Sequence, residues 1–124
     1  MNKKQLPEIL KYFLEDLLFD EIGYRAKSMF SGWGIYRFGK MFAILIEDEF
    51  YFKTGANNIQ DYLENFSKPF TYTVKGQIRQ MSYYRLPEEI LENSDELKVW
   101  IQKSLDVPEK IKTKKTSPNI SKID

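Results

Sequence analysis

The chain has no cysteine and no histidine in its 124 residues. The first absence removes disulfides, thiolate metal sites and cysteine nucleophiles, and the second removes the commonest metal ligand and general base. Carboxylate-only chemistry, such as a magnesium site or a glycosidase pair, stays formally open, but no spacing asks for it. Charge of one sign is also lacking, with 19 basic against 18 acidic residues. The apolar residues near the N-terminus are interrupted by Glu8, Lys11, Glu15 and Asp16, so neither a signal-peptide core nor a membrane span is expected, and the expected location is the cytoplasm. A chain of this length suits one domain.

Aromatic rings are abundant: nine Phe, eight Tyr and two Trp. Such side chains bring large buried areas with few torsions to freeze, so they should dominate the core. Ile9, Leu10, Phe13, Leu14, Leu17 and Leu18 recur at helical spacing and predict an amphipathic helix from about Pro7 to Asp20. From Arg25 the pattern changes to short apolar runs separated by turn signals. Strands are expected near Arg25 to Phe30, Trp33 to Phe38, Met41 to Glu47 and Phe50 to Lys53, joined at Ser31-Gly32, Gly39-Lys40 and Asp48-Glu49. The run Met41 to Ile46 is apolar throughout and predicts a central strand covered on both faces. A short helix follows, with Ile59, Tyr62, Leu63 and Phe66 on one side and Thr54, Asn57 or Asn58 as its cap.

A second hairpin runs from Phe70 through the turn Lys75-Gly76 and back along Ile78 to Leu86. Its return strand carries large residues in both alternate sets, which leaves the buried face open. Pro87 with Glu88 and Glu89, then Ser94 with Asp95 and Glu96, are helix starts, and Leu97, Trp100, Ile101 and Leu105 share one face of the last helix. Residues 1–106 are thus read as the domain and residues 107–124 as a Lys-rich, disordered tail. The fold class is α+β.

Three constellations invite chemistry. The glycines of Phe30-Ser31-Gly32-Trp33-Gly34 suit a phosphate-cradling loop, yet they lead into a strand with no Gly-Lys-Ser/Thr, so a hairpin is the simpler reading. Ser82-Tyr83-Tyr84-Arg85 sets a hydroxyl beside a cation but offers no base, and strand packing accounts for it. Basic residues interleave with aromatics along the strands, which offers a nucleic-acid surface with Arg37, Lys53 and Arg79 as candidate contacts, although the same alternation is the ordinary consequence of a half-buried sheet and that is the simpler reading. The Lys110 to Lys115 cluster reads as a solvated tail. No catalytic, metal or cofactor residue is identified, no cofactor is called for, and the chain is not expected to be an enzyme.

Three blocks of sequence resemble the TfoX N-terminal domain, found in the TfoX/Sxy regulators of natural competence. They are Met29-Phe30-Ser31-Gly32-Trp33-Gly34-Ile35-Tyr36; then Met41-Phe42-Ala43-Ile44-Leu45 leading to Tyr51-Phe52-Lys53; then Pro69-Phe70-Thr71-Tyr72 with Gly76, continuing as Met81-Ser82-Tyr83-Tyr84-Arg85-Leu86-Pro87 and ending in Asp95, Leu97 and Trp100. Ser31 stands where that family usually has Gly. The resemblance implies a two-layer domain with an antiparallel sheet in the order α-β-β-β(β)-α-β-β-α, similar to secretion chaperones. It further implies a bacterial, non-enzymatic interaction domain that regulates transcription of DNA-uptake genes, with the transcription machinery or the cyclic-AMP receptor protein as protein partner. The long regulators carry a second C-terminal domain, and this chain is expected to be a standalone form. A sheet edge left open admits a homodimer.

Overall fold

A computed structural model describes residues 5–29 and 31–109. Six antiparallel strands form one sheet in the order β1-β2-β3-β4-β6-β5, with β1 Tyr24–Met29, β2 Gly32–Arg37, β3 Lys40–Ile46, β4 Glu49–Lys53, β5 Pro69–Val74 and β6 Gln77–Arg85. The first helix, α1, starts as Glu8–Lys11 and continues through Tyr12–Leu17 with a wider, π-type winding. This widening brings Phe13 and Leu18, five positions apart, onto the same buried side, which an α-helical repeat would not do. Helix α2 covers Ile59–Leu63, α3 Glu88–Leu91 and α4 Ser94–Leu105. The order agrees with the α+β arrangement expected from the sequence.

Three of the hairpins close through two residues, and each of those residues has positive φ: Phe38 and Gly39, Glu47 and Asp48, Lys75 and Gly76. Paired left-handed residues give the turn whose twist matches that of the strands. Two of these turns lie one position earlier than the expected Gly39-Lys40 and Asp48-Glu49. The reason is that the left-handed pair comprises Phe38 with Gly39 and Glu47 with Asp48, and neither Phe nor Glu announces such a conformation.

Alternate strand positions divide the sheet into two faces. Trp33, Ile35, Ala43, Leu45, Phe50 and Phe52 look toward the helices, where they meet Leu10, Phe13 and Leu18 of the N-terminal segment and Leu97, Trp100 and Ile101 of α4. A register shift at Ile35/Tyr36 leaves Phe42 as an extra residue on β3, so Phe42 and Ala43 both join that core. Phe13 stacks on Phe50 at 4.5 Å, and Phe52 meets Phe42 edge-on at 5.5 Å. Burying each large apolar side chain contributes about 1.5–3 kcal/mol, so this aromatic block is the main source of stability.

Helix α4 is capped as its sequence suggests, one residue earlier than Ser94: the Asn93 side chain accepts from the Glu96 amide at 3.2 Å. Its C-terminal carbonyl at Leu105 accepts from the Lys40 ammonium, which fixes the helix end beside the β2–β3 turn. Asn58 precedes α2 but works backwards along the chain. It accepts from the Gly55 amide and donates to the Lys53 carbonyl, stitching the β4–α2 connection together. Packing continues past the boundary expected at residue 106, since Val107 is buried and a Cβ on Gly55 would lie 2.9 Å from it. The Lys110 to Lys115 cluster and the rest of the expected tail lie outside the described residues, as does Phe30.

Candidate interaction face

All four helices contribute to the core on one side of the sheet, so among the described residues no helix covers the other side. Cross-strand pairing defines what that open side presents. One row reads Lys27, Gly34, Ile44, Tyr51, Arg85 from the β1 edge inward. Beside it, Arg25, Tyr36 and Met41 form a second row on β1 to β3, with Lys53 and Tyr83 continuing on β4 and β6. The centre is apolar and the ends are cationic.

Ile44 is only 1% exposed although, among the described residues, no helix packs on it. The central strand is thus covered on both faces, as its apolar run predicts, and on the open side the cover comes from side chains of the sheet itself. Gly34 shows how. A Cβ there would lie 3.0 Å from the Met29 sulfur, 3.2 Å from the Met41 sulfur and 3.3 Å from the Tyr36 ring, so these three side chains close over the glycine. Lys27 extends over the Tyr36 ring, 5.4 Å from its centre. Burial pushes the Tyr83 phenol up to about 12, helped by neighbouring Tyr36 and Glu109, and Tyr51 is raised by burial and then by Glu49. Both phenols are hydrogen-bonding groups that stay protonated at neutral pH.

The three candidate nucleic-acid cations do not converge. Arg37 belongs to the helix side, where it donates to the Ile22 carbonyl, pairs with Glu21 at 3.4 Å and lies over the Tyr24 and Phe38 rings. Tyr24, which donates to Glu21 and packs on Phe42, completes that cluster. Its phenol is raised mainly by burial. Lys53 lies on the open face with Glu109 3.8 Å away, and Arg79 stands apart on the β5–β6 hairpin opposite Tyr72.

The resemblance residues divide among the open face, the core, the β5–β6 hairpin and the connections. Tyr36, Met41, Tyr51, Lys53, Tyr83, Gly34 and Arg85 line the open face, and Arg85 there pairs with Glu49. Phe42, Tyr84 and Trp100 belong to the core, where Trp100 donates to Glu96 and meets Tyr62 edge-on at 4.8 Å. Gly32 is the first residue of β2, and its Cβ would strike the Leu45 carbonyl, while Gly76 completes the β5–β6 turn. Pro69, Phe70 and Tyr72 lie on β5, and Pro87 precedes α3. The Gly32 to Gly34 segment is strand rather than a phosphate loop. Ser82 is likewise in a strand, its carbonyl accepting from the Thr54 amide. The Tyr51–Phe70–Tyr72 relay has no periodic signature, because it joins strands that are not neighbours in the sheet.

Among the described residues no cluster of three or more acids is placed to hold a metal ion, and no helix is long and apolar enough to cross a membrane. A recess of about 800 Å³ between the α2–β5 connection and α3 sets Lys68 and Arg85 against Glu88, Glu89 and Glu92.

The sequence model of the TfoX N-terminal domain matches residues 17–107. The chain belongs to the TfoX N-terminal domain family. The matched span takes in the whole sheet and α2 to α4, including every open-face residue named above. No curated protein matches the chain.

Proposed function

We propose that this TfoX N-terminal domain protein is a non-enzymatic, cytoplasmic interaction domain that assists transcription by docking a protein partner on its open sheet face. The observation that carries the reading is the pairing of an apolar centre, at Gly34, Ile44, Tyr36 and Met41, with cations at its margins: Lys27 and Arg85 at the two ends of one row, and Arg25 at the β1 end of the next. Such a surface suits a segment of apolar residues flanked by acids. Met29 and Met41 add unbranched side chains that repack around an incoming partner. Family membership supports a role in the competence programme, with the cyclic-AMP receptor protein or RNA polymerase as the protein that docks.

The test is direct binding of the purified chain to each of these two proteins, followed by transcription from a promoter that depends on the receptor protein. Binding to one of them, weakened at least tenfold by Lys27→Glu with Arg85→Glu and untouched by Glu92→Ala on the helix side, is the expected result. Absence of binding to both, with no effect on transcription, would overturn the proposal.

A further inference from the structure

The β5–β6 hairpin leaves the body of the molecule. Residues 71–80 are all exposed, although they form a regular two-stranded ladder from Thr71 opposite Gln80 to Val74 opposite Gln77. Only Tyr83, Tyr84 and Arg85 of β6 pair with β4, so the distal ribbon has no third strand among the described residues. An isolated ribbon is marginal in water. This one is braced at its root on the open face, where Phe70 meets Tyr51 edge-on at 5.2 Å and stacks with Tyr72 at 6.3 Å.

The chemistry of the ribbon is one-sided. No Asp or Glu occurs between Glu64 and Glu88, a stretch that holds Lys68, Lys75, Arg79 and Arg85. Arg85 is engaged by Glu49, and Lys68 faces the acids of α3, but among the described residues neither Lys75 nor Arg79 has an acidic partner. Thr71, Thr73, Gln77 and Gln80 supply hydroxyl and amide groups along the same ribbon. A carboxylate-free arm with cations at and near its tip is built for a polyanion. A two-stranded ribbon is also narrow enough for the major groove of duplex DNA, where Arg and Gln are the side chains that pair with base edges.

We propose that the β5–β6 hairpin is an arm that contacts duplex DNA, with Lys75 and Arg79 on the phosphates or base edges and Gln77, on the same face as Arg79, beside them. The contact is separate from the open-face docking reading, which keeps its own test.

The experiment is a titration of the full chain with a fluorescent DNA duplex of about two helical turns, at several salt concentrations. Removing both arm cations, Lys75→Ala with Arg79→Ala, should weaken binding roughly tenfold per contact at 0.1 M salt and lower the slope of log affinity against log salt by about 0.9 per contact. Both positions are exposed, so the thermal unfolding curve should not move. Two control sets test other cations: Arg25→Ala with Lys27→Ala on the far edge, and Lys112→Ala with Lys114→Ala and Lys115→Ala beyond the described residues. Loss confined to the arm variant supports the proposal. Any of three results would overturn it: no duplex binding at 50 mM salt, an arm variant that binds as the parent does, or preference for single-stranded DNA, RNA or a second copy of the chain.

Discussion

Gly32 and the carbonyl of Leu45 approach so closely across β2 and β3 that a methyl group on Gly32 would lie 2.1 Å from the oxygen, with the Ile46 side chain at 2.5 Å. A backbone carbonyl inside a ladder cannot swing aside as the end of a long side chain can. Gly32→Ala should therefore cost about 2–4 kcal/mol, the range of a severe packing defect. Gly39→Ala provides the comparison. Gly39 has a φ of +81° with open space around it, so only the left-handed backbone penalty of about 1–2 kcal/mol applies. Urea unfolding of the two variants should rank them in that order, and a Gly32→Ala protein as stable as the parent would contradict the close approach.

Tyr62 carries the opposite kind of strain. Its ring is fully buried between Tyr84 and Trp100, yet its hydroxyl has no hydrogen-bond partner among the described residues. Neighbouring Ser104 donates its own proton to the Lys53 carbonyl and offsets part of the burial-driven rise of the Tyr62 phenol, but it does not reach the hydroxyl with hydrogen-bond geometry. An unsatisfied buried hydroxyl costs about 1–3 kcal/mol, so Tyr62→Phe should raise stability by about 1 kcal/mol after small repacking losses. A midpoint in urea that falls would show that the hydroxyl is paired in solution.

Much of this architecture is legible in the sequence, for physical reasons that differ by element. β4 and α4 show themselves because each buries one regular side: Phe50 and Phe52 alternate with Tyr51 and Lys53, and Leu97, Trp100 and Ile101 repeat at helical spacing; β3 shows itself as an unbroken apolar run between turn signals. The buried face of β6 was not legible because its distal half has none. Only from Tyr83 to Arg85 does the strand pair with β4, with the Tyr83 and Tyr84 rings on opposite sides of the sheet. The candidate site was half legible. Interleaved cations and aromatics marked the open face, but alternation cannot say that Arg37 is drawn into the Glu21–Tyr24 cluster, since that depends on the loop after α1 folding back against β2.

Arg37 and Arg79 should separate cleanly by substitution. Arg37 is 19% exposed in its side chain and ties β2 to the Ile22 carbonyl, Glu21 and two rings. Arg37→Ala should destabilise by about 1–3 kcal/mol, as expected for loss of a hydrogen-bonded charged group that also packs. Arg79→Ala, at an exposed ribbon position, should stay within about 0.5 kcal/mol of the parent. Paired melting curves read both; equal effects would mean that the cluster around Arg37 does not form.

The tyrosines set the alkaline limit of stability. Burial raises the phenols of Tyr24, Tyr62 and Tyr83 above the ordinary value of 10.0, with Tyr83 reaching about 12. Below pH 10 the phenols are protonated in both folded and unfolded chains and contribute no slope. Above it the unfolded chain releases protons that the folded chain still holds, so the unfolded state binds fewer protons and stability falls as pH rises. Urea midpoints should therefore show no tyrosine-driven change up to about pH 9 and decline from pH 10 to 12. Tyr83→Phe removes one such phenol and should flatten that decline. A decline insensitive to Tyr83→Phe would show that its phenol is reached by solvent, and with it the centre of the open face.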